Sequence, residues 1–144
     1  ECYNKGDYSS AFEYFSKAAK LGDIEAHYSL SCCYRLGHGI EKDEKKKVFH
    51  LEEAAIGGHP IARYNLGCHE ERIGRIERAI KHMIIAANLG DDDSIEMLRE
   101  EYAQGRISKE NFAASLRAHQ AAVDAIKSPQ REEAEEYIFE FRSN

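Results

Sequence analysis

Four cysteines and seven histidines are the residues of this 144-residue chain best suited to metal or redox chemistry. Cys32-Cys33 and Cys68-His69 offer four soft ligands in two adjacent pairs, which are donor types that zinc accepts. Successive helical residues point about 100° apart, so neither pair converges on one ion without distortion. Asp91-Asp92-Asp93 carries oxygen donors but lacks the alternating spacing and distal Glu of a calcium loop. Three acids at the start of a helix are explained by capping. No metal site and no cofactor are expected. Nor does the chain contain a glycine-rich phosphate loop after a strand, a nucleophile elbow, a His-Glu-x-x-His motif or a paired set of catalytic carboxylates. No catalytic residue is assigned, and the expectation is a protein that is not an enzyme.

The elements that would position these side chains follow from composition. The sequence has no Thr, two Val and no Trp against eighteen Ala, a depletion of strand formers that argues for an all-α fold. The net charge of −6 is spread over both halves of the chain, and neither half is basic. The one basic run, Lys45-Lys46-Lys47, lies among Glu41, Asp43 and Glu44, so the cationic stripe that phosphate binding requires is missing and no nucleic acid is expected. Cations in a first helical turn oppose the dipole. The run reads either as a solvated face or as a small docking patch for an acidic segment. No stretch approaches the roughly 18 to 20 apolar residues of a membrane span, so no membrane insertion is expected. A first residue of Glu1 rather than Met predicts a fragment or a processed chain.

Punctuation divides the chain into a helical remnant ending at Lys5 and then expected helices at 8–21, 24–36, 44–56, 60–73, 75–89, 92–104, 109–126 and 129–141. Pro60 and Pro129 read as first-turn prolines, where a missing N–H costs nothing. Asp7, Asp23, Asp43 and Asp91 stand at N-cap positions, and only Gly67 among the glycines falls inside a helix. An Ala-Ala pair followed by glycine recurs at Ala18-Ala19, Ala54-Ala55 and Ala86-Ala87, with spacings of 36 and 32 residues. Tyr28-Ser29-Leu30 is matched at the same spacings by Tyr64-Asn65-Leu66 and, more weakly, by Glu96-Met97-Leu98. Tyr-x-x-Gly recurs from Tyr3, Tyr34 and Tyr102, so the chain is expected to begin inside a repeat. Two helices per period of this length mean a solenoid of stacked hairpins. The stacked interior is expected to hold Phe15, Leu51 and Met83 with Leu30, Leu66 and Leu98. Residues 106–144 read as a two-helix C-terminal cap, with Ala134, Tyr137, Ile138 and Phe141 on one face of its last helix. The alternative is that Tyr137, Phe139 and Phe141 dock onto a partner.

Cys32 and Cys68 occupy equivalent places in neighbouring units, about 8 to 10 Å apart at the backbone, which is too far for a disulfide. Such thiols suit a reducing, intracellular compartment. His50 and His82 also match in position, which favours packing over catalysis.

Gly22-Asp-Ile-Glu-Ala26-His-Tyr28-Ser-Leu30-Ser-Cys-Cys-Tyr34-Arg-Leu-Gly37-His-Gly39-Ile-Glu-Lys-Asp43 resembles the Sel-one-like repeat, a relative of the tetratricopeptide repeat, and His59-Pro-Ile-Ala62-Arg-Tyr64-Asn-Leu66-Gly67 resembles it as closely. The resemblance covers residues 1–105. Glu70 stands where the family has the aromatic of Tyr34, and the link from Gly74 to Ala79 lacks the Gly-x-Gly loop. The resemblance implies an α-α superhelix whose Tyr-x-Leu helices line a concave groove. Its outward residues are then Glu25, Tyr28, Cys32 and Arg35 in one unit, Ile61, Tyr64, Cys68 and Glu71 in the next, and Asp93, Glu96 and Glu100 in the third. That groove is expected to be mostly acidic. It implies a non-enzymatic adaptor that binds a peptide or protein segment within a larger assembly. The alternatives are a helical-repeat RNA binder and a regulatory repeat region of a larger enzyme such as a ubiquitin-ligase component.

Overall fold

The structure, a computed structural model, describes residues 5–142, except for the side chains of residues 5, 134, 135 and 137–142. It contains α1 (Lys5–Lys20), α2 (Ile24–Leu36), α3 (Glu44–Ile56), α4 (Pro60–Arg72), α5 (Ile76–Asn88), α6 (Asp92–Ala103) and α7 (Lys109–Arg142), with no strand among the described residues. Local chemistry sets most boundaries. Asp23, Asp43 and Asp91 hold extended backbone ahead of α2, α3 and α6, and their carboxylates accept from the N–H groups of Ala26, Lys46 and Ser94 at 2.8, 3.0 and 2.8 Å. Each satisfies a donor the helix itself leaves open. His59 caps α4 instead of an acid: its Nδ1 accepts from Ala62 N–H at 3.2 Å, with Pro60 in the first turn. Asp7 lies inside α1 rather than ahead of it, and Lys5, expected to end a separate helical remnant, belongs to the same helix, which runs through Gly6 without a break. Tyr3 lies outside the described residues.

The helices pair as antiparallel hairpins, α2 with α3 and α4 with α5, and each hairpin packs on the next element along the chain. Alanines make the close approach possible. Ala54, Ala55, Ala62, Ala86 and Ala87 are all at most 1% exposed, since a larger side chain would hold the axes apart. Three apolar clusters follow one another: Ala19, Ala26 and Leu30 with Phe12 and Phe15; Leu51, Ala54, Ala55, Ala62 and Leu66; then Ala79, Ile80, Met83, Ala87, Ile95, Leu98 and Phe112. The expected interior residues all belong to them, Phe15 only partly buried.

Two glycines are explained by what they touch. A Cβ at Gly67 would lie 3.2 Å from Met83 Cγ and 3.3 Å from the Ala79 carbonyl, so its place inside α4 lets α5 pack closely. Gly39, at φ 76°, presses the α2–α3 loop onto α1: a Cβ there would meet the Tyr8 carbonyl oxygen at 2.3 Å. His38 stacks on the Tyr8 ring beside it, with centroids 4.1 Å apart.

The chain end corrects one expectation. The two helices expected at 109–126 and 129–141 are one 34-residue helix, α7, with Pro129 inside it. A proline there removes the N–H that would bond the Ala125 carbonyl and crowds the preceding turn. Residues 124–133 are all exposed, so water can satisfy that carbonyl, and the Ala-rich run before and the Glu-rich run after Pro129 are strong helix formers. Phe112, Ser115 and Leu116, from the first half of α7, cover the α5–α6 end of the apolar interior. The face expected at Ala134, Tyr137, Ile138 and Phe141, and the docking alternative on Tyr137, Phe139 and Phe141, lie outside the described side chains.

Candidate binding groove

Helical spacing places Tyr28, Ser31, Cys32 and Arg35 along one side of α2, and Ile61, Tyr64, Cys68 and Arg72 recur along α4. With Lys47 and Leu51 of α3, Asn65 and His69 of α4 and Asp93 of α6, they enclose an open depression of about 390 Å³. Seven of the eleven residues expected in the groove, namely Tyr28, Cys32, Arg35, Ile61, Tyr64, Cys68 and Asp93, come together there. Glu25, Glu71, Glu96 and Glu100 do not line it. Glu96 pairs with Arg99 at 3.5 Å, and Glu25 is taken by His59.

The last pairing fixes one wall. Because His59 Nδ1 accepts from the backbone, the neutral ring carries its proton on Nε2, which donates to Glu25 Oε1 at 3.1 Å. The Tyr28 ring lies on the imidazole with centroids 4.4 Å apart and planes 22° apart. Tyr28 is thus held against the start of the next unit.

Both phenols of the lining and the Cys68 thiol are shifted upward. Tyr64 is pushed above the ordinary phenol value, first by the hydrogen bond its hydroxyl donates to Cys68, then by burial and by Asp93 and Asp91. Burial, then Cys32, does the same to Tyr28. Burial also raises the Cys68 and Cys33 thiols. A protonated thiol is a poor nucleophile. Among the described residues, no group of three or more His, Cys, Asp and Glu side chains is placed to hold a metal ion, and no helix is long and apolar enough to cross a membrane.

The formal charges lie opposite to expectation. Instead of an acidic lining, the depression has Arg35, Lys47 and Arg72 with Asp93 as its one acid. The Lys45–Lys47 run divides by helical direction: Lys45 is exposed, Lys46 Nζ lies 5.6 Å from the Tyr34 ring centroid, and Lys47 is buried at the floor. Glu44 Oε1 receives Lys47 Nζ and Arg72 Nη2, each at 2.7 Å, and lies 3.6 Å from His69 Nδ1. The Lys47 hydrogen bond, reinforced by Arg72, holds the Glu44 carboxyl below its ordinary value. Ser31, Lys47, Leu51, Asn65, His69 and Arg72 were not singled out from sequence as groove residues. The signal available for Lys47 was its place in a first turn that disfavours cations.

Residues 1–23, 24–59 and 60–91 each match the sequence model of the Sel1 repeat. The chain belongs to the Sel1 repeat family. In the Sel1 units as they fold here, α2 with α3 and α4 with α5 are the two complete hairpins. A Sel1 repeat protein from Oxalobacter formigenes superposes with a TM-score of 0.67 at 22% identity, over 78% of this chain and 49% of that one, and so shares the solenoid fold. Among relatives, the chitin synthase regulator SKT5 of Saccharomyces cerevisiae is 40% identical over 67 residues, covering 46% of this chain and 10% of its own. The DAP3-binding cell death enhancer 1 of Mus musculus is 26% identical over 167 aligned positions, covering 88% of this chain and 33% of its own. The chain therefore spans a third or less of either relative. Where the Sel1 resemblance places the Tyr34 aromatic, the second unit buries Glu70, whose Oε1 lies 3.1 Å from Arg78 and Oε2 3.7 Å from Arg75.

Proposed function

We propose that this Sel1 chain is a non-enzymatic scaffold that holds a peptide or protein segment of a partner along the depression between α2, α3, α4 and α6, with residues 106–144 serving as the end unit of the array. The observation that carries this reading is that Tyr28 and Tyr64, from successive units, line the same open cavity of about 390 Å³. Tyrosine supplies a broad contact area and a polar tip at low entropic cost. The names of two relatives, one a chitin synthase regulator and one a DAP3-binding protein, agree with a role in assemblies. Tyr28, Tyr64 and Cys68, each raised above its ordinary value, suit contact more than covalent chemistry.

Crosslinking with mass spectrometry on the native complex tests the proposal. Crosslinks from the partner are expected on the α2 and α4 faces bearing Tyr28 and Tyr64, and a Tyr28→Ala/Tyr64→Ala variant of unchanged helicity should lose about tenfold or more in partner affinity. Unchanged affinity in that folded variant, or crosslinks confined to other faces, would sink it.

A further inference from the structure

The depression has a charge polarity that the chain as a whole does not. At the end formed by the last turns of α2 and α4 and the first turn of α3 stand three full cations, Arg35, Lys47 and Arg72, against two carboxylates: Glu44, and Glu71, which is outside the lining but close enough to raise Cys68. Both Lys47 and Arg72 direct a nitrogen to the same Glu44 oxygen at 2.7 Å, so a single carboxylate is shared between two cations. Lys47 is only 7% exposed, and a buried ammonium with half a counterion gains from a second anion. The C-terminal dipoles of α2 and α4 oppose an anion here, but each is worth roughly half a charge and the N-terminal dipole of α3 works in its favour. At the far end, Asp93 lines the depression and Asp91 lies close enough to raise Tyr64 and Cys68. All this belongs to a protein with a net charge of −6, whose remaining surface repels acidic partners.

We infer that the groove takes an acidic peptide segment, seating its carboxylates at Arg35, Lys47 and Arg72 with its neutral part across Tyr28 and Tyr64. This deepens the scaffold reading and rests on it for the place of binding. Charge complementarity of this kind acts on orientation and association rate as much as on affinity, and it should weaken as salt rises.

The probe is a fluorescein-labelled octaglutamate peptide titrated by anisotropy against the full chain at about 50 and about 300 mM NaCl, beside octalysine and a Gly-Ser octamer. Octaglutamate should bind about tenfold or more tighter than either control and lose most of that advantage at the higher salt. An Arg35→Glu/Arg72→Glu variant should abolish the preference, whereas Lys45→Glu, on an exposed position outside the depression, should change it less than about twofold. Circular dichroism establishes that each variant is folded. Equal binding of octaglutamate and the Gly-Ser peptide overturns the inference, as does equal damage from Lys45→Glu. Displacement of octaglutamate by a decauridine oligonucleotide at matched charge overturns it too, by making the cup a general polyanion site. The two readings fail separately. If the charge reversal abolishes octaglutamate binding but Tyr28→Ala/Tyr64→Ala leaves the native partner bound, the scaffold groove is wrong and the cationic cup stands. If the tyrosine variant loses the partner while octaglutamate never binds, the reverse holds.

Discussion

His27 and His50 meet Nδ1 to Nδ1 at 3.0 Å across the seam between α2 and α3. One ring must donate and the other accept, so the contact survives only while at most one of the pair is charged. Tyr34 stacks on His50 from the same helix as His27, with planes 8° apart.

That seam gives the fold a defined response to acid. His50 sits below its ordinary value of 6.5, chiefly through burial and then through His27, with Lys46 adding and Glu53 opposing; His82 is lowered chiefly by burial and then by Arg63, with Arg78 adding and Glu70 opposing. The unfolded chain therefore takes up protons near pH 6.5 while the folded one resists them. The histidine contribution must fall as pH drops from about 6.5 and stay level between about pH 7 and 8, below the range where the raised thiols and phenols begin to matter. Glu44, lowered from 4.5, adds its own loss only in a more acidic window. Melting temperatures at pH 7.5, 6.5 and 5.5 should decline in that order, and His50→Gln with His82→Gln should remove most of the decline. A melting temperature that rises on acidification through this window contradicts the assignment.

Glu70 offers a second test. Its Oε2 is buried without a hydrogen bond, and the Arg75 nitrogen at 3.7 Å is too distant to supply one, which leaves Arg78 at 3.1 Å as the principal counterion. Arg78→Ala should cost about 1 to 3 kcal/mol in urea unfolding by orphaning a buried carboxylate. Adding Glu70→Met to that variant should recover much of the loss, because the charge needing a partner is gone. A single-variant cost below about 0.5 kcal/mol, the range of an ordinary surface change, would show that water already serves Glu70.

The loop that bears on α1 can be probed by a methyl group. Gly39→Ala combines a positive φ with a Cβ 2.3 Å from the Tyr8 carbonyl oxygen, whereas Gly22→Ala, at φ 88°, meets nothing within 4 Å. The first should destabilise by about 2 kcal/mol or more and the second by about 1 kcal/mol. Hydrogen exchange should quicken in α1 for Gly39→Ala alone; equal exchange in both variants would mean that the loop does not hold α1.

Much of this fold was legible because it is encoded locally. Asp23, Asp43 and Asp91 announce helix starts through their own side chains, and the Ala-Ala-Gly spacing reports a stacking distance. Pro129 misled because its cost depends on what lies around it: an exposed site between strong helix formers accommodates a residue that a packed one would reject. The groove was legible in register and hidden across it. Matching positions picked out Tyr28 with Tyr64 and Cys32 with Cys68. Lys47 and Leu51 enter from α3, and Arg72 from the end of α4, as a result of how the hairpins cross. Counting acids along α6 misjudged the lining for the same reason, since Glu96 and Glu100 share a helix face with Asp93 but lie beyond the depression, and its cations belong to other helices.

The interior is three successive clusters rather than one, and the helices that carry them pack mainly on those next along the chain. In such an array each seam can loosen before the rest. A segment lying across α2, α4 and Asp93 of α6 would act as a splint, making seams that otherwise open one by one open together. Occupancy would then be read in the sharpness of melting as well as in its midpoint.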